Sequence, residues 1–99
     1  MPNEKMLGMK KLNLQHNNLT YETIKIISRS IKSDTYSRCI SFKANNLNAE
    51  AVAELYDALK DNGALFNLDL RMNPGLSQKM HRLLALKMLS NYTRAGQLA

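Results

Sequence analysis

The chain has 99 residues, 44% of them hydrophobic, which is enough for one apolar core and too few for two domains. Its formal net charge of +6 favours a partner with an acidic surface. A lone cysteine, Cys39, excludes an internal disulfide, and the sequence contains neither the apolar core of a signal peptide nor a run long enough to span a bilayer. We therefore expect a single domain over residues 1–99 in a reducing, intracellular compartment.

An internal repeat with a period of 28 residues organises the chain. The pattern LxxLxLxxNxL occurs from residues 9, 37 and 65, and its asparagines are Asn17, Asn45 and Asn73. The third copy has one extra residue at Pro74-Gly75, which a turn can absorb. The sequence predicts repeats over about 9–36, 37–64 and 65–92, followed by a short tail over 93–99.

Each repeat is expected to begin with a short strand and a turn. Apolar residues spaced by two, such as Leu12 and Leu14, place both side chains on one face of a strand. The spacing predicts parallel strands near residues 10–15, 38–43 and 66–71. The amide of each repeat asparagine can bond backbone groups where the chain leaves the strand, which predicts a stacked asparagine ladder.

A helix is expected to follow each strand. The residues of N-cap type are Thr20, Asn48 and Ser77. The core-facing stripes are Ile24, Ile27 and Ile31 in the first helix and Val52, Leu55 and Leu59 in the second. The segment Asp61-Asn62-Gly63, in which Gly63 is able to take a positive φ, is expected to end the second helix, and the third is expected over about Gln78 to Tyr92. Opposite charges at Arg29 and Asp57, and at Glu50 and Lys79, are expected to face each other between neighbouring helices.

These motifs resemble leucine-rich repeats, and the 28-residue length resembles the ribonuclease-inhibitor subfamily. The resemblance covers residues 9 to about 92, and the closing repeat is similar to that of centriolar leucine-rich-repeat proteins found at basal bodies. It implies an α/β solenoid of right-handed βα repeats, with a curved parallel sheet inside and helices outside. It also implies protein partners on the concave face, no catalysis and no cofactor, in the cytoplasm or cytoskeleton, at a centriole or cilium, or in a mitochondrial assembly.

Two surfaces are candidates for binding a partner. On the concave face, the side chains that leave the strands toward solvent are Lys11, Asn13, Gln15, His16, Cys39, Ser41, Lys43, Ala44, Asn67, Asp69, Arg71 and Met72. On the third helix, apolar residues cover more than one stripe, and Leu83, Leu86 and Leu89 are expected to lie against another chain or under the tail 93–99.

The chemistry of the sequence favours interaction over catalysis. The two histidines and Cys39 lack further ligands at metal-binding spacing, and nothing nominates a base for a nucleophilic Cys39. The basic charge is interrupted by an acidic middle segment, which disfavours nucleic acid, including RNA. Two hypotheses follow: a scaffold subunit built into a larger assembly, or a free-standing module that recognises a partner on its concave face. No enzymatic activity, metal, cofactor or small-molecule substrate is expected.

Overall fold

Three strands alternate with three helices along the chain. The computed structural model describes residues 10–98, with side chains described from residue 11 to residue 93. The elements are β1 (Lys10–Asn13), α1 (Tyr21–Ser33), β2 (Ser37–Ser41), α2 (Ala49–Lys60), β3 (Asn67–Asp69) and α3 (Gln78–Leu98). The mixed α/β class and the helix after each strand are confirmed. Expectations for residues 1–9 and for Ala99 lie outside the described residues.

The strands form one parallel sheet in the order β1-β2-β3. Leu12 pairs with Ile40, and Ile40 with Leu68, so neighbouring strands are aligned by the repeat period. The strands are shorter than the sequence predicted and end at residues 13, 41 and 69 instead of 15, 43 and 71. The turns follow at His16, Ala44 and Met72, whose φ angles are 61°, 60° and 63°. Left-handed backbone at the same place in every repeat ends the extended conformation.

The helix starts are confirmed by their capping hydrogen bonds. Thr20 Oγ1 accepts from the Thr23 N–H at 3.2 Å, and Asn48 Oδ1 accepts from the Ala51 N–H at 2.9 Å. In the third repeat, the Met80 N–H donates to Ser77 Oγ at 3.1 Å. These hydrogen bonds satisfy N–H groups that a first helical turn leaves without a partner.

The second helix ends at the segment that the sequence predicted, but Gly63 does not take the conformation expected of it. The helix runs to Lys60, and Asp61 is its C-cap. No glycine among the described residues has a positive φ, so the left-handed backbone expected for Gly63 is wrong. Asn62 makes the turn, because its Oδ1 accepts from the N–H groups of Ala64 and Leu65 at 2.7 Å each.

The core lies between the sheet and the helices. Its fully buried large side chains include Ile24, Val52, Leu55, Leu59 and Phe42, so the two predicted helical stripes face inward, with Ile27 partly buried. The helix of the third repeat joins this core through Leu84, which is buried. Each repeat therefore contributes apolar side chains to a single core.

Gly75 allows the third repeat to approach the second closely. A Cβ placed on Gly75 would lie 2.1 Å from the backbone carbon of Asn48, so a side chain does not fit there. The close approach lets the Gly75 N–H donate to the Leu47 carbonyl at 2.8 Å. The Pro74-Gly75 insertion is therefore part of the packing between repeats.

The third helix is longer than the sequence predicted. It continues past Tyr92 as far as Leu98. Residues 93–98 therefore extend the helix, and the expected alternative in which this tail folds back over the helical leucines is wrong. No proline interrupts the segment, so its backbone can continue the helical hydrogen bonding.

Candidate functional site

The repeat asparagines link the turns of neighbouring repeats. Asn45 Oδ1 accepts from the N–H groups of Asn17 and Leu19 at 2.7 and 3.4 Å. Its Nδ2 donates to the carbonyls of Leu14 and Phe42 at 2.9 and 3.0 Å. Asn73 repeats the arrangement, with Oδ1 accepting from Asn45 N–H at 2.9 Å. These side chains fix the exits of the strands, from which the candidate binding residues project.

A second polar series, which the sequence analysis missed, lies at the other end of the helices. Asn62 Nδ2 donates to the carbonyls of Ile31 and Asp34, and Asn91 Nδ2 donates to those of Asn62 and Leu65, all at 2.7 Å. Asn91 is fully buried, and its Oδ1 has no hydrogen-bond partner among the described residues. The sequence did carry one indication of this series, because Asp34 and Asn62 are 28 residues apart, which is one repeat period.

Asn91 and Asn62 also define how α3 corresponds to α2. Asn91 lies 29 residues after Asn62, and the cap Ser77 lies 29 residues after the cap Asn48. The spacing is 29 instead of 28 because the third repeat carries one extra residue. Residues at this spacing in α2 and α3 are called equivalent below. The same term is used for residues 28 apart elsewhere in the repeats.

One face of the sheet carries the polar residues expected on a concave surface. Asn13, Ser41 and Asp69 are in register across the three strands, as are Lys11, Cys39 and Asn67. These six residues line a shallow depression of about 220 Å³. We call this the sheet face. Gln15 and Lys43 follow it half-buried, and His16 and Met72 are exposed at the strand exits.

The strongest ion pair of the sheet face joins Asp69 and Arg71. Arg71 donates from Nε and Nη2 to the two oxygens of Asp69 at 2.9 and 2.8 Å. The Arg71 hydrogen bond is the main cause that lowers the pKa of the Asp69 carboxyl, and the nearby charge of Lys43 contributes. The same pair raises the pKa of Arg71. The positive charge expected from Arg71 is therefore largely neutralised within the chain.

The outer face of α3 exposes an apolar stripe. Leu86, Leu89 and Tyr92 are 65%, 60% and 61% exposed. The Tyr92 ring meets Phe66 edge-on, with 5.4 Å between ring centroids. We call Leu86, Leu89 and Tyr92 the α3 patch. Leu83 was expected with them but is half-buried. Its equivalent, Glu54, contacts the preceding helix through a 3.2 Å hydrogen bond from Tyr21, so this position faces a neighbouring helix.

The charges expected to face each other between neighbouring helices form no ion pairs among the described residues. Asp57 pairs with Lys60 on its own helix at 3.2 Å, not with Arg29, and the facing of the two helices' opposite charges stays a prediction. A different pair, Lys32 and Asp61, joins the ends of α1 and α2 at 4.0 Å. Glu50 and Lys79 also form no ion pair among the described residues. All of these side chains are exposed, so such pairs contribute little to stability.

The structure offers no composite metal site in the part of the chain that it describes. No group of three His, Cys, Asp or Glu side chains within residues 10–98 could hold a metal ion. Cys39 is a free thiol on the sheet face. No helix in the same range is both long and apolar enough to cross a membrane.

A cleft of mixed character opens beside β3 at the last repeat. It has a volume of about 290 Å³ and lies between β3 and α3, where its lining includes Leu68, Leu84, Met88 and His81. His81 is exposed, although its equivalent Val52 is fully buried. The cleft therefore lies at the end of the core, beside the edge strand β3, while the core leucines next to it remain buried.

Comparisons with known proteins assign no family. No family model matches the chain, and no curated protein matches it. Among solved structures, the chain is similar to a tropomodulin C-terminal domain from Caenorhabditis elegans, with 9% identity and a TM-score of 0.39 over 96% of this chain and 91% of that one.

Proposed function

We propose that this chain is a non-enzymatic protein-binding module, built as a short solenoid of leucine-rich repeats of the ribonuclease-inhibitor type. In this proposal it serves as a structural subunit of a larger assembly, and its partner docks on the α3 patch. The observation that carries the proposal is the exposure of two leucines and a tyrosine on successive turns of one helix face.

Comparison of equivalent helix positions supports this surface. Leu86 and Leu89 of α3 stand where α2 has Asp57 and Lys60, both exposed and charged. At these two positions the apolar character is therefore specific to the last helix. Burial of a leucine side chain contributes about 1.5–3 kcal/mol, so the α3 patch can stabilise a modest interface.

The charges around the α3 patch indicate the partner's chemistry. Lys79 and Arg82 are exposed on α3, and no acidic residue lies in its first turn. A partner with an apolar groove and an acidic rim fits this surface, because its charges would attract those of α3 and its groove would cover the leucines.

The sheet face is the second candidate, for a free-standing module that recognises its partner there. The 220 Å³ depression and the exposed Lys11 support it. It is the weaker candidate because the depression is shallow and Asp69 already neutralises Arg71. The same neutralisation weakens the case for nucleic acid, because phosphate binding depends on unpaired basic groups.

The test is affinity capture from native lysate with three variants. Leu86→Glu places a charge in the α3 patch, and Gln78→Glu places the same charge on an exposed position at the start of the same helix. Lys43→Glu reverses a charge beside the sheet face, next to Asp69. We expect Leu86→Glu to lose at least tenfold of the captured partner while Gln78→Glu and Lys43→Glu retain it, with circular dichroism unchanged in all three.

Two outcomes would overturn the proposal. If Leu86→Glu captures the same proteins as the unmodified chain, the α3 patch is not the docking surface. If Lys43→Glu alone loses the partner, the sheet-face recognition module replaces it.

A further inference from the structure

The two edges of the sheet carry complementary hydrogen-bonding groups. Within the chain, the N–H of Leu14 donates to the Ser41 carbonyl, and the N–H of its equivalent Phe42 donates to the Asp69 carbonyl, both at 2.8 Å. Each repeat thus donates forward to the next. In the third repeat the equivalent N–H groups are those of Leu70 and Met72, and neither has an acceptor among the described residues. The edge of β3 therefore presents unused donors.

The asparagine ladder is likewise unfinished at both ends. Asn45 and Asn73 each accept two N–H groups of the preceding repeat on Oδ1. Asn17 Oδ1 accepts none among the described residues, although Asn17 Nδ2 donates to the Leu14 carbonyl at 3.0 Å. The Asn73 N–H, equivalent to donors that the ladder uses elsewhere, has no acceptor there either. The acceptor Asn17 Oδ1 is therefore unused at the β1 end, and the donor Asn73 N–H is unused at the β3 end.

Apolar side chains are exposed at the β1 end, and a cleft opens at the β3 end. Leu12 of β1 is 43% exposed and Ile26 of α1 is 61% exposed. Ile26 is equivalent to Glu54, the α2 residue that contacts the preceding helix through Tyr21. Ile26 therefore occupies the position that meets a preceding repeat. At the opposite end, the 290 Å³ cleft beside β3 leaves room for an incoming side chain next to Leu68 and Leu84.

We propose that copies of this chain associate head to tail, with β1 of one copy adding in parallel to β3 of the next. The contact repeats the parallel pairing of β2 with β3 that is already present in the chain. Asn17 Oδ1 of one copy accepts from the Asn73 N–H of the other, and Leu12 covers the cleft. The surface goes beyond the α3 patch of the proposed function and shares no residue with it.

In the single chain, the flexible side chain of Met88 covers one hydrogen-bond donor at the β3 edge. Its sulfur lies 3.0 Å from the Leu68 nitrogen and takes that N–H. The incoming strand offers a carbonyl to this N–H, and the methionine moves aside, as an unbranched thioether can. The edge is therefore protected in isolation and still available for pairing.

The charges at the two ends predict the salt dependence of association. Both α1 and α3 carry more basic than acidic residues over their described side chains. Like charges repel across the contact at low ionic strength, and added salt screens them. Association should therefore strengthen as salt is raised. Because the two contacting surfaces differ, the contact does not close on itself and yields a series of species larger than a dimer.

The test blocks each end separately and then mixes the blocked chains. Ile26→Arg blocks the β1 end, His81→Arg blocks the cleft, and Ser90→Arg is the matched control on the outer face of α3; all three positions are exposed. Sedimentation velocity is run at high salt and high micromolar concentration. We expect the unmodified chain and Ser90→Arg to form a series of species, and each blocked variant alone to sediment at its 11.2 kDa monomer mass.

A mixture of the two blocked variants gives the decisive result, because each retains one intact end. We expect the mixture to form a one-to-one dimer and nothing larger. The proposal is overturned if the unmodified chain stays monomeric, if either blocked variant self-associates, or if the mixture stays monomeric. The series is repeated with Leu86→Glu in every chain, which removes the α3 patch and should leave head-to-tail association unchanged.

Discussion

At the scale of single residues, the ladder asparagine Asn45 should be the most sensitive polar position. Its side chain is buried and makes four hydrogen bonds to backbone groups of two repeats. We expect Asn45→Ala to lower the free energy of unfolding by about 3–5 kcal/mol, because four buried or partly buried backbone groups lose their partners at about 1–3 kcal/mol each. Urea denaturation followed by circular dichroism measures the loss.

The matched control for Asn45→Ala is Asn17→Ala at the exposed end of the ladder. Asn17 donates from Nδ2 but accepts nothing on Oδ1 among the described residues, so its loss should cost no more than about 1 kcal/mol. Equal losses for the two variants would show that position in the ladder does not matter. They would also contradict the role given to Asn45.

One of the two polar series could be predicted from the sequence, and the other could not. Asn17, Asn45 and Asn73 share a residue type and a constant spacing, so the pattern alone identifies them. Asp34, Asn62 and Asn91 change residue type and shift by one residue in the last repeat, so no fixed period finds them. The pairing of Lys60 with Asp57 was also beyond the sequence, because repeat spacing does not fix where a long exposed side chain points.

At the scale of elements, two leucines of α3 should differ sharply in their contribution to stability. Leu84 is buried in the core, and Leu86, two residues later, is exposed. We expect Leu84→Ala to destabilise the fold by about 2–4 kcal/mol through the cavity it leaves, and Leu86→Ala by less than about 0.5 kcal/mol. Thermal and urea unfolding of both variants measure the difference. Similar losses would mean that α3 presents a different face to the core.

The helix starts were predictable from the sequence, but the end of α3 was not. Thr20, Asn48 and Ser77 are cap residues at repeat-related positions, and a hydrogen bond confirms each. The expected end near Tyr92 assumed that the third repeat turns as the second does. Asn91 instead remains inside a helix, so the turn that Asn62 builds has no counterpart there. Local composition gives no stop signal at that point.

At the scale of the whole molecule, backbone protection should be greatest in the middle of the sheet. The Phe42 N–H is bonded to the Asp69 carbonyl between two strands, whereas the Leu70 N–H lies at an open edge. In dilute protein, we expect the Leu70 amide to exchange with solvent on the order of 100-fold faster than that of Phe42. Hydrogen exchange followed by NMR measures both. Equal protection in the monomer would mean that the β3 edge is covered.

The fold class and the order of the elements could be predicted from the sequence, but the exposure of residues at the two ends of the repeat stack could not. A constant repeat period fixes which residues pair across strands, as Leu12, Ile40 and Leu68 do. Exposure at an end depends on what packs beyond it, and periodicity carries no information on that. His81 illustrates the point, because it is equivalent to the buried Val52 and is itself exposed.

The turn at Pro74-Gly75 sets the rotational phase of the last helix. It takes up the extra residue before Ser77, so α3 starts at the place in its repeat where α2 starts. In this register Leu84 is buried in the core and Leu86 is exposed. If the turn did not take up that residue, the helix would shift by one position, about 100° about its axis, and Leu86 would fall at the place of Ala58, which is buried in α2. This short turn thus determines which of two apolar stripes packs in the core and which remains free for contact.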